Sequence, residues 1–251
     1  MTDSNAGAYI REAKLPEELP VLSRTAARAF ASHPMPNYFS NQTTSIHLQE
    51  NGKNAKSMRQ LTHFEESTLR TAMLIGGRIM VVVVPEGNGK ERIAACAAWI
   101  PPNSPSMDGL AVLVRAKSHR VVFDWGLTSL KRVTVEYLPT IQKRRIKMLR
   151  KRGVKGSDYW YLELLFTNPE DEGHGYCGQL LREMEAFDST RILTLDASTE
   201  RSIGVYKHYG WEIYDEFRLG VGKAGEDGTK ATGEKSKGVL NVMMSRTPSK
   251  A

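Results

Sequence analysis

The order of segments along this chain predicts an α/β (α+β) fold in which helices flank a sheet with both parallel and antiparallel pairs. Three observations carry that expectation. Apolar runs of strand length, rich in β-branched or aromatic residues, recur at residues 78–84, 159–166, 191–196 and 239–244. Stretches with apolar residues at helical spacing lie between them, the clearest placing Leu180, Leu181, Met184 and Phe187 on one face. A glycine-rich turn, Gly173-His-Gly-Tyr-Cys-Gly178, joins the strand at 159–166 to that helix. With 251 residues, 40% hydrophobic and 25% charged, the composition is that of an ordinary globular chain, read here as one domain with insertions.

Residues 9–13 form a short first strand. A helix follows in which Leu22, Ala26, Ala29 and Phe30 share a face, and Pro34 and Pro36 are expected to stop it. Residues 37–57, rich in Asn, Gln, Thr and Ser, suggest a loop or lid, with helix resuming over 59–74 until Gly76-Gly77. Residues 78–84 and 92–100 read as a hairpin closed by the turn at 85–89. The alanines of its second arm imply close approach by a neighbouring element, although that run is also compatible with a helix.

After Pro101-Pro102 the chain leaves the sheet for an insertion at about 103–157. Its apolar segments are 110–116, 121–130 and a helix over 133–149 that Pro139 is placed to break. Lys and Arg crowd this stretch from Arg115 to Lys155 against few acids, in a chain with a formal net charge of +7. Such a run is either a solvated helix face or a positive rim over a site, suited to an acidic or phosphate-bearing acceptor or to steering a phosphate-bearing cofactor. No aromatics interleave with the basic residues 143–155, which argues against a nucleic-acid surface.

Beyond the glycine turn, residues 191–196 are a strand, 199–209 a short helix ended by Gly210, and 211–217 an alternating strand. Residues 220–238, mostly Gly, Lys, Glu and Thr, are expected to be a mobile loop before the closing strand at 239–244. No apolar run is long enough to span a bilayer, and residues 1–7 lack the basic-then-apolar order of a secretory signal, so a cytosolic location is expected. Cys96 and Cys177 show no CxxC spacing and suggest neither a disulfide framework nor a metal site.

The glycine turn allows several anion-binding readings. Gly173-x-Gly175-x-x-Gly178 is a literal dinucleotide fingerprint, with Asp196 at a suitable distance, which would make the chain an NAD(P)-dependent oxidoreductase. Against it, residues 167–172 separate strand from first glycine, and too few strand-helix units follow Asp196. A Walker loop is excluded because no Lys-Ser or Lys-Thr follows the glycines. A shorter pyrophosphate turn at the start of a helix remains.

Here the sequence resembles the Gcn5-related N-acetyltransferases, the GNAT family. Thr167-Asn168-Pro169 resembles the family's Val-x-Pro, and Glu172-Gly-His-Gly-Tyr-Cys177 resembles its Arg-Gly-x-Gly-x-Gly turn, followed by Leu180-Leu181. Glu172 and Cys177 depart from that pattern. A second motif, Tyr206-Lys-His-Tyr-Gly210-Trp211, resembles Tyr-x-x-x-Gly-Phe, and Leu195-Asp-Ala-Ser198 resembles Leu-Glu-Ala-Ser, with Thr199 and Ser202 replacing the usual Asn and Ala.

The resemblance implies a mostly antiparallel mixed sheet with a splayed central parallel pair, acetyl-CoA as cosubstrate, and a small-molecule amine acceptor, with a peptide as the alternative, whose amino group attacks the thioester directly. It further implies that the backbone of Leu165, Phe166 and Thr167 aligns the pantetheine arm. Gly173, His174, Gly175, Tyr176, Cys177 and Gly178 would hold the pyrophosphate, and Ser198, Thr199 and Tyr206 would lie along the cofactor. Tyr206 is expected to protonate the leaving thiolate, and Glu163, an acid in an apolar strand, to act as base, with Asp196 the second candidate. The departure at Glu172 also allows a protein that binds CoA without catalysis.

Overall fold

A computed structural model describes residues 7–48, 53–87, 89–107 and 109–248. The readings made on residues 1–6, on 49–52 of the expected lid, on Asn88 of the hairpin turn and on Asp108 of the insertion lie outside the described residues. A seven-stranded sheet has the order β1-β2-β3-β4-β5-β7-β6. Its strands are β1 (Tyr9–Glu12), β2 (Arg78–Gly87), β3 (Lys90–Ile100), β4 (Trp160–Thr167), β5 (Leu193–Ala197), β6 (Glu212–Leu219) and β7 (Val239–Arg246). Every neighbouring pair is antiparallel except β4 and β5.

That parallel pair is short. Trp160, Tyr161 and Leu162 pair with Leu193, Thr194 and Leu195, and no register continues beyond. β4 nevertheless runs on to Thr167, held by β3 alone. The register with β3 slips at the same point: Trp99 faces Leu162 and Ala98 faces Leu164, so Glu163 opposes nothing. An extra residue of this kind bends its strand and increases local twist. The bulge at Glu163 thus stands where β4 leaves β5, opening a wedge between them.

Helices α1 (Leu19–Ala29) and α3 (Lys53–Leu74) cover one face of the sheet and α7 (Tyr176–Phe187) the other. The alanine-rich strand is the axis of this sandwich. Ala95, Ala97 and Trp99 of β3 pack with Leu180, Leu181 and Met184 of α7, while Cys96, Ala98 and Ile100 pack with Leu22, Leu69 and Ala72. Small side chains on both faces let helices approach the middle of the sheet, as β3's composition predicts.

Three expectations change. Pro34 does not end regular structure but opens a short helix, α2 (Pro34–Phe39), because a missing N–H costs nothing in a first turn. Pro139 does not break the insertion helix: α5 (Ser118–Lys131) passes through a π-helical turn, Arg132–Tyr137, into α6 (Leu138–Lys151), where the proline occupies a first-turn position. The segment 220–238, expected to be mobile, is folded. Ala224 bridges Lys230, Asn37 Nδ2 donates to the Asp227 carbonyl at 3.0 Å, and the Lys230 N–H donates to the Gln42 carbonyl at 2.8 Å. A side chain on Gly228 would meet the Pro34 carbonyl oxygen at 2.0 Å, so glycine permits this docking. Low hydrophobicity is offset here by backbone hydrogen bonds within the segment and by bonds to the Asn37 side chain of α2 and to the Gln42 carbonyl beyond it.

The insertion adds α4 (Leu110–Arg115), α5 and α6. Trp125 stacks on Phe64 of α3 at 4.9 Å, and Tyr137 packs on Phe39 of α2 at 5.1 Å. These contacts lay the insertion across α2 and α3 as a wall facing the wedge.

Candidate active site

A cavity of ≈ 470 Å³ lies between the wedge and this wall. β4 contributes Tyr161, Leu162, Glu163, Leu164 and Leu165, the end of β5 Asp196 and Ala197, and the following segment Ser198, Ser202 and Tyr206. The last two lie one helical turn apart on α8 (Glu200–His208). Phe30, His33, Phe39, Phe64 and Tyr137 line the opposite side with apolar residues of α4 and α5. Sequence reasoning missed Ser202, His33 and Asn241; the i, i+4 spacing of Ser202 from Tyr206 was the available signal for the first.

Glu163 is half-buried, faces the cavity and has an oxygen, Oε2, without a hydrogen-bond partner. Removal from water pushes its carboxyl up to about 7; the Arg145 charge opposes that rise and Asp196 adds to it. Burial raises Asp196 as well, and its Oδ1, like Glu163 Oε2, has no hydrogen-bond partner, but its other oxygen is engaged. Its Oδ2 accepts from Arg145 Nη2 at 2.6 Å and from the Tyr161 hydroxyl at 2.9 Å, and the Arg145 and Asp196 side chains are 6% and 4% exposed. Arg145 belongs to the basic run of the insertion, yet it points inward, with its guanidinium 3.7 Å from the Tyr161 ring centroid. The run is therefore not uniformly a solvated face.

Tyr206 is buried, lines the cavity and packs on Trp211 at 5.9 Å. Burial raises its phenol, with a smaller contribution from Cys177, so it carries its proton throughout the neutral range. His33 caps α2 by accepting from the Met35 N–H at 3.4 Å, and burial lowers its imidazole to about 4. It is a neutral wall of the cavity.

The glycine turn lies past the end of β4. Thr167 Oγ1 is 3.1 Å from Cys177 Sγ, which joins turn to strand. Gly173 and Gly175 adopt positive φ of 86° and 73°, where a side chain is strained. No atom stands within 4 Å of a Cβ position at either, so the turn has an open side there. α7 starts after Gly175 with no side-chain cap, leaving first-turn N–H donors without intrahelical acceptors. His174 Nδ1 is 3.1 Å from the Asp171 carbonyl oxygen, and its ring stacks on Tyr176 at 5.6 Å. Beneath the turn, Asp171 pairs with Arg92 and accepts from Asn168 Nδ2.

Not every predicted site residue presents its side chain here. Phe166 faces the core against Phe30, and Tyr176 packs with Leu180, so either could meet a cofactor only through its backbone. A Cβ on Gly178 would lie 2.0 Å from the Tyr209 hydroxyl, so this glycine accommodates the helix after β5 rather than an anion. Thr199 caps α8 by accepting from the Ser202 N–H at 3.1 Å, which uses the hydroxyl expected at the cofactor. Glu172, the acid directly before the turn, pairs with Arg201 at 2.7 Å, as Glu170 pairs with Arg28 and Asp171 with Arg92.

No protein-family model and no curated protein matches the chain. Solved structures do. The structure described as histone acetyltransferase HPA2 and related acetyltransferase from Corynebacterium glutamicum is 16% identical, with a TM-score of 0.58 over 98% of each chain. Arylalkylamine N-acetyltransferase 2 from Aedes aegypti is 12% identical, with a TM-score of 0.54 over 96% of this chain and 99% of that one. At such identities the likeness concerns architecture, and it agrees with the mixed sheet, the single parallel pair and the flanking helices: the chain has the fold of the Gcn5-related N-acetyltransferases.

Proposed function

We propose that this chain is an acetyl-CoA-dependent N-acetyltransferase that acetylates an amino group by direct attack on the thioester. The observation that carries the reading is the bulge at Glu163. It turns a carboxylate with an unpartnered oxygen into a cavity that Tyr206 also lines, where β4 and β5 part. The residues present fit the cosubstrate: the wedge leaves the edge of β4 beyond Leu162 unpaired by β5, and the open turn at Gly173–Gly175 precedes an uncapped helix start suited to pyrophosphate. Bound there, acetyl-CoA supplies an activated acyl group and a thiolate leaving group.

In this reading the backbone of Leu165–Thr167 holds the pantetheine arm, Ser198 and Ser202 flank it, and the glycine turn holds the phosphates. Glu163 takes the proton from the acceptor ammonium, since a carboxyl near 7 can be ionised and still accept a proton at neutral pH. Tyr206 holds a proton for the thiolate. Asp196 is engaged by Arg145 and Tyr161, so it serves the site by positioning rather than as the base.

Calorimetry with acetyl-CoA tests the proposal: binding that Gly175→Asp abolishes, together with amine-dependent thiol release, is expected, and no binding at millimolar ligand refutes it. A catalytically silent CoA binder would bind yet release no thiol with any amine; the pairing of Glu172 with Arg201 weakens the motive that its departure supplied. An oxidoreductase loses its structural basis, because a dinucleotide half requires successive parallel strands and this sheet contains one parallel pair.

A further inference from the structure

The buried charges around the cavity do not balance, and the imbalance describes the occupant. On one side, Asp196 and Arg145 cancel in a pair 2.6 Å apart. Glu163 has no such partner: none of the described residues lies within ion-pair distance of it, and its Oε2 accepts no hydrogen bond. Behind it sits a second carboxyl the mechanism does not use. Glu65 of α3 is 1% exposed, also has an unpartnered Oε2, and is close enough for the Glu163 charge to act on it. A half-buried and a buried carboxyl therefore share one region whose nearest acting cation, Arg145, is paired with Asp196, an arrangement that is costly unless protons or a counter-ion complete it.

Most of the cavity's remaining lining is apolar, broken by hydroxyls such as Ser67, Thr68 and Ser118 and by His33 and His119. Although it is walled by a basic insertion, none of the described residues lining it is Lys or Arg, and its only described acids are Glu163 and Asp196. Met35, Phe39, Phe64, Leu113, Val121 and Val133 surround the volume away from the wedge. At its mouth, Leu110 and Val114 line the cavity while remaining 78% and 62% exposed. Away from the wedge this surface accepts a hydrocarbon or aromatic body, and its described residues there include no carboxylate for a second ammonium and no Lys or Arg for a phosphate.

We infer that the acceptor is a primary amine with a single positive charge and an apolar body, its ammonium seated on Glu163 with Glu65 behind it. The inference rests on the acetyl-transfer reading and narrows it. It disfavours diamines, whose second charge would enter the Phe- and Val-lined end, and also the acidic or phosphate-bearing acceptors that the basic insertion suggests from sequence.

The test is calorimetric titration of the full chain with 2-phenylethylamine, its neutral isostere 2-phenylethanol, butane-1,4-diamine and glucosamine 6-phosphate, each with and without saturating CoA. The amine is expected to bind more tightly than each of the others by on the order of tenfold. Glu163→Gln should remove its advantage over the alcohol while leaving the alcohol's affinity unchanged. Equal binding of amine and alcohol, tighter binding of the diamine or the phosphate, or no binding of the amine at millimolar concentration overturns the inference. Failure of acetyl-CoA to bind would instead refute the transfer reading, and the amine-against-alcohol comparison in CoA-free protein still decides this one. Because Glu163→Gln could act by unfolding, its thermal midpoint is measured beside the wild type, and Glu65→Gln, at the carboxyl behind the seat, gives a second reading: a weakened amine and an unchanged alcohol support the seat, and no change in either opposes Glu65's part in it.

Discussion

Glu163 and Asp196 stand just past the last pair of the parallel ladder between β4 and β5 and face one cavity, yet they differ in their partners. Asp196 is tied to Arg145 and Tyr161. Glu163 sits on a bulge, with one oxygen unpartnered. The same residue chemistry thus serves two purposes: a carboxylate ion-paired through one oxygen holds two walls together, whereas one with no cationic partner among the described residues remains available to a substrate, although each keeps one oxygen, Asp196 Oδ1 and Glu163 Oε2, without a hydrogen-bond partner. Partners, rather than residue type or depth, separate structure from chemistry here.

The comparison breaks first at Asp196. Asp196→Ala strands the Arg145 guanidinium in a dry site, and breaking such a pair costs roughly 3–5 kcal/mol. Urea titration should show the largest stability loss of this series, and an unchanged midpoint would mean that the pair does not join the insertion to β5. Glu163→Gln is expected to do the opposite, lowering kcat/KM by roughly 10²–10⁴ while leaving stability equal or higher.

Titration sharpens the contrast. In the proposed role of base Glu163 must be ionised, so kcat/KM should rise as pH increases through about 7. Its effect on stability has the reverse sign. The folded carboxyl binds its proton more tightly than the unfolded one, so its stabilising effect is complete below the ordinary Glu range and lost as pH rises through about 7. Glu65, raised to about 8 by burial and then by the Glu163 charge, extends that loss. Unfolding measured from pH 5 to 9 should therefore flatten in Glu163→Gln; a slope identical to wild type would contradict the shift.

Tyr206→Phe is expected to keep acetyl-CoA affinity within about twofold, since only a hydroxyl is removed, and to slow turnover by a factor on the order of 10². Equal losses in binding and turnover would make Tyr206 a packing residue against Trp211. The smallest effect belongs to Glu172→Gln. Its pair with Arg201 is solvent-exposed, at 43% and 73%, and exposed pairs contribute about 1 kcal/mol or less. Thermal unfolding should barely change, and acetyl-CoA affinity should rise slightly if the acid still reaches the phosphates.

The sequence by itself determined what depends on near neighbours. Glycines at 173 and 175, strand-length apolar runs and helical spacing set the element order, and the motifs around the turn and Tyr206 marked the architecture, because turns and periodicities are written within a few residues. Only the tertiary structure decided what depends on distant partners. Arg145 and Asp196 are 51 positions apart, so nothing local says that one arginine of a basic run turns inward. Segment 220–238 looks mobile until Asn37 of α2 and the Gln42 carbonyl beyond it supply hydrogen bonds. Glu163 is an acid in an apolar strand until the registers with β3 and β5 end around it. Whether a polar group is engaged or free is a property of the neighbours that folding brings to it, and those neighbours come from far along the chain.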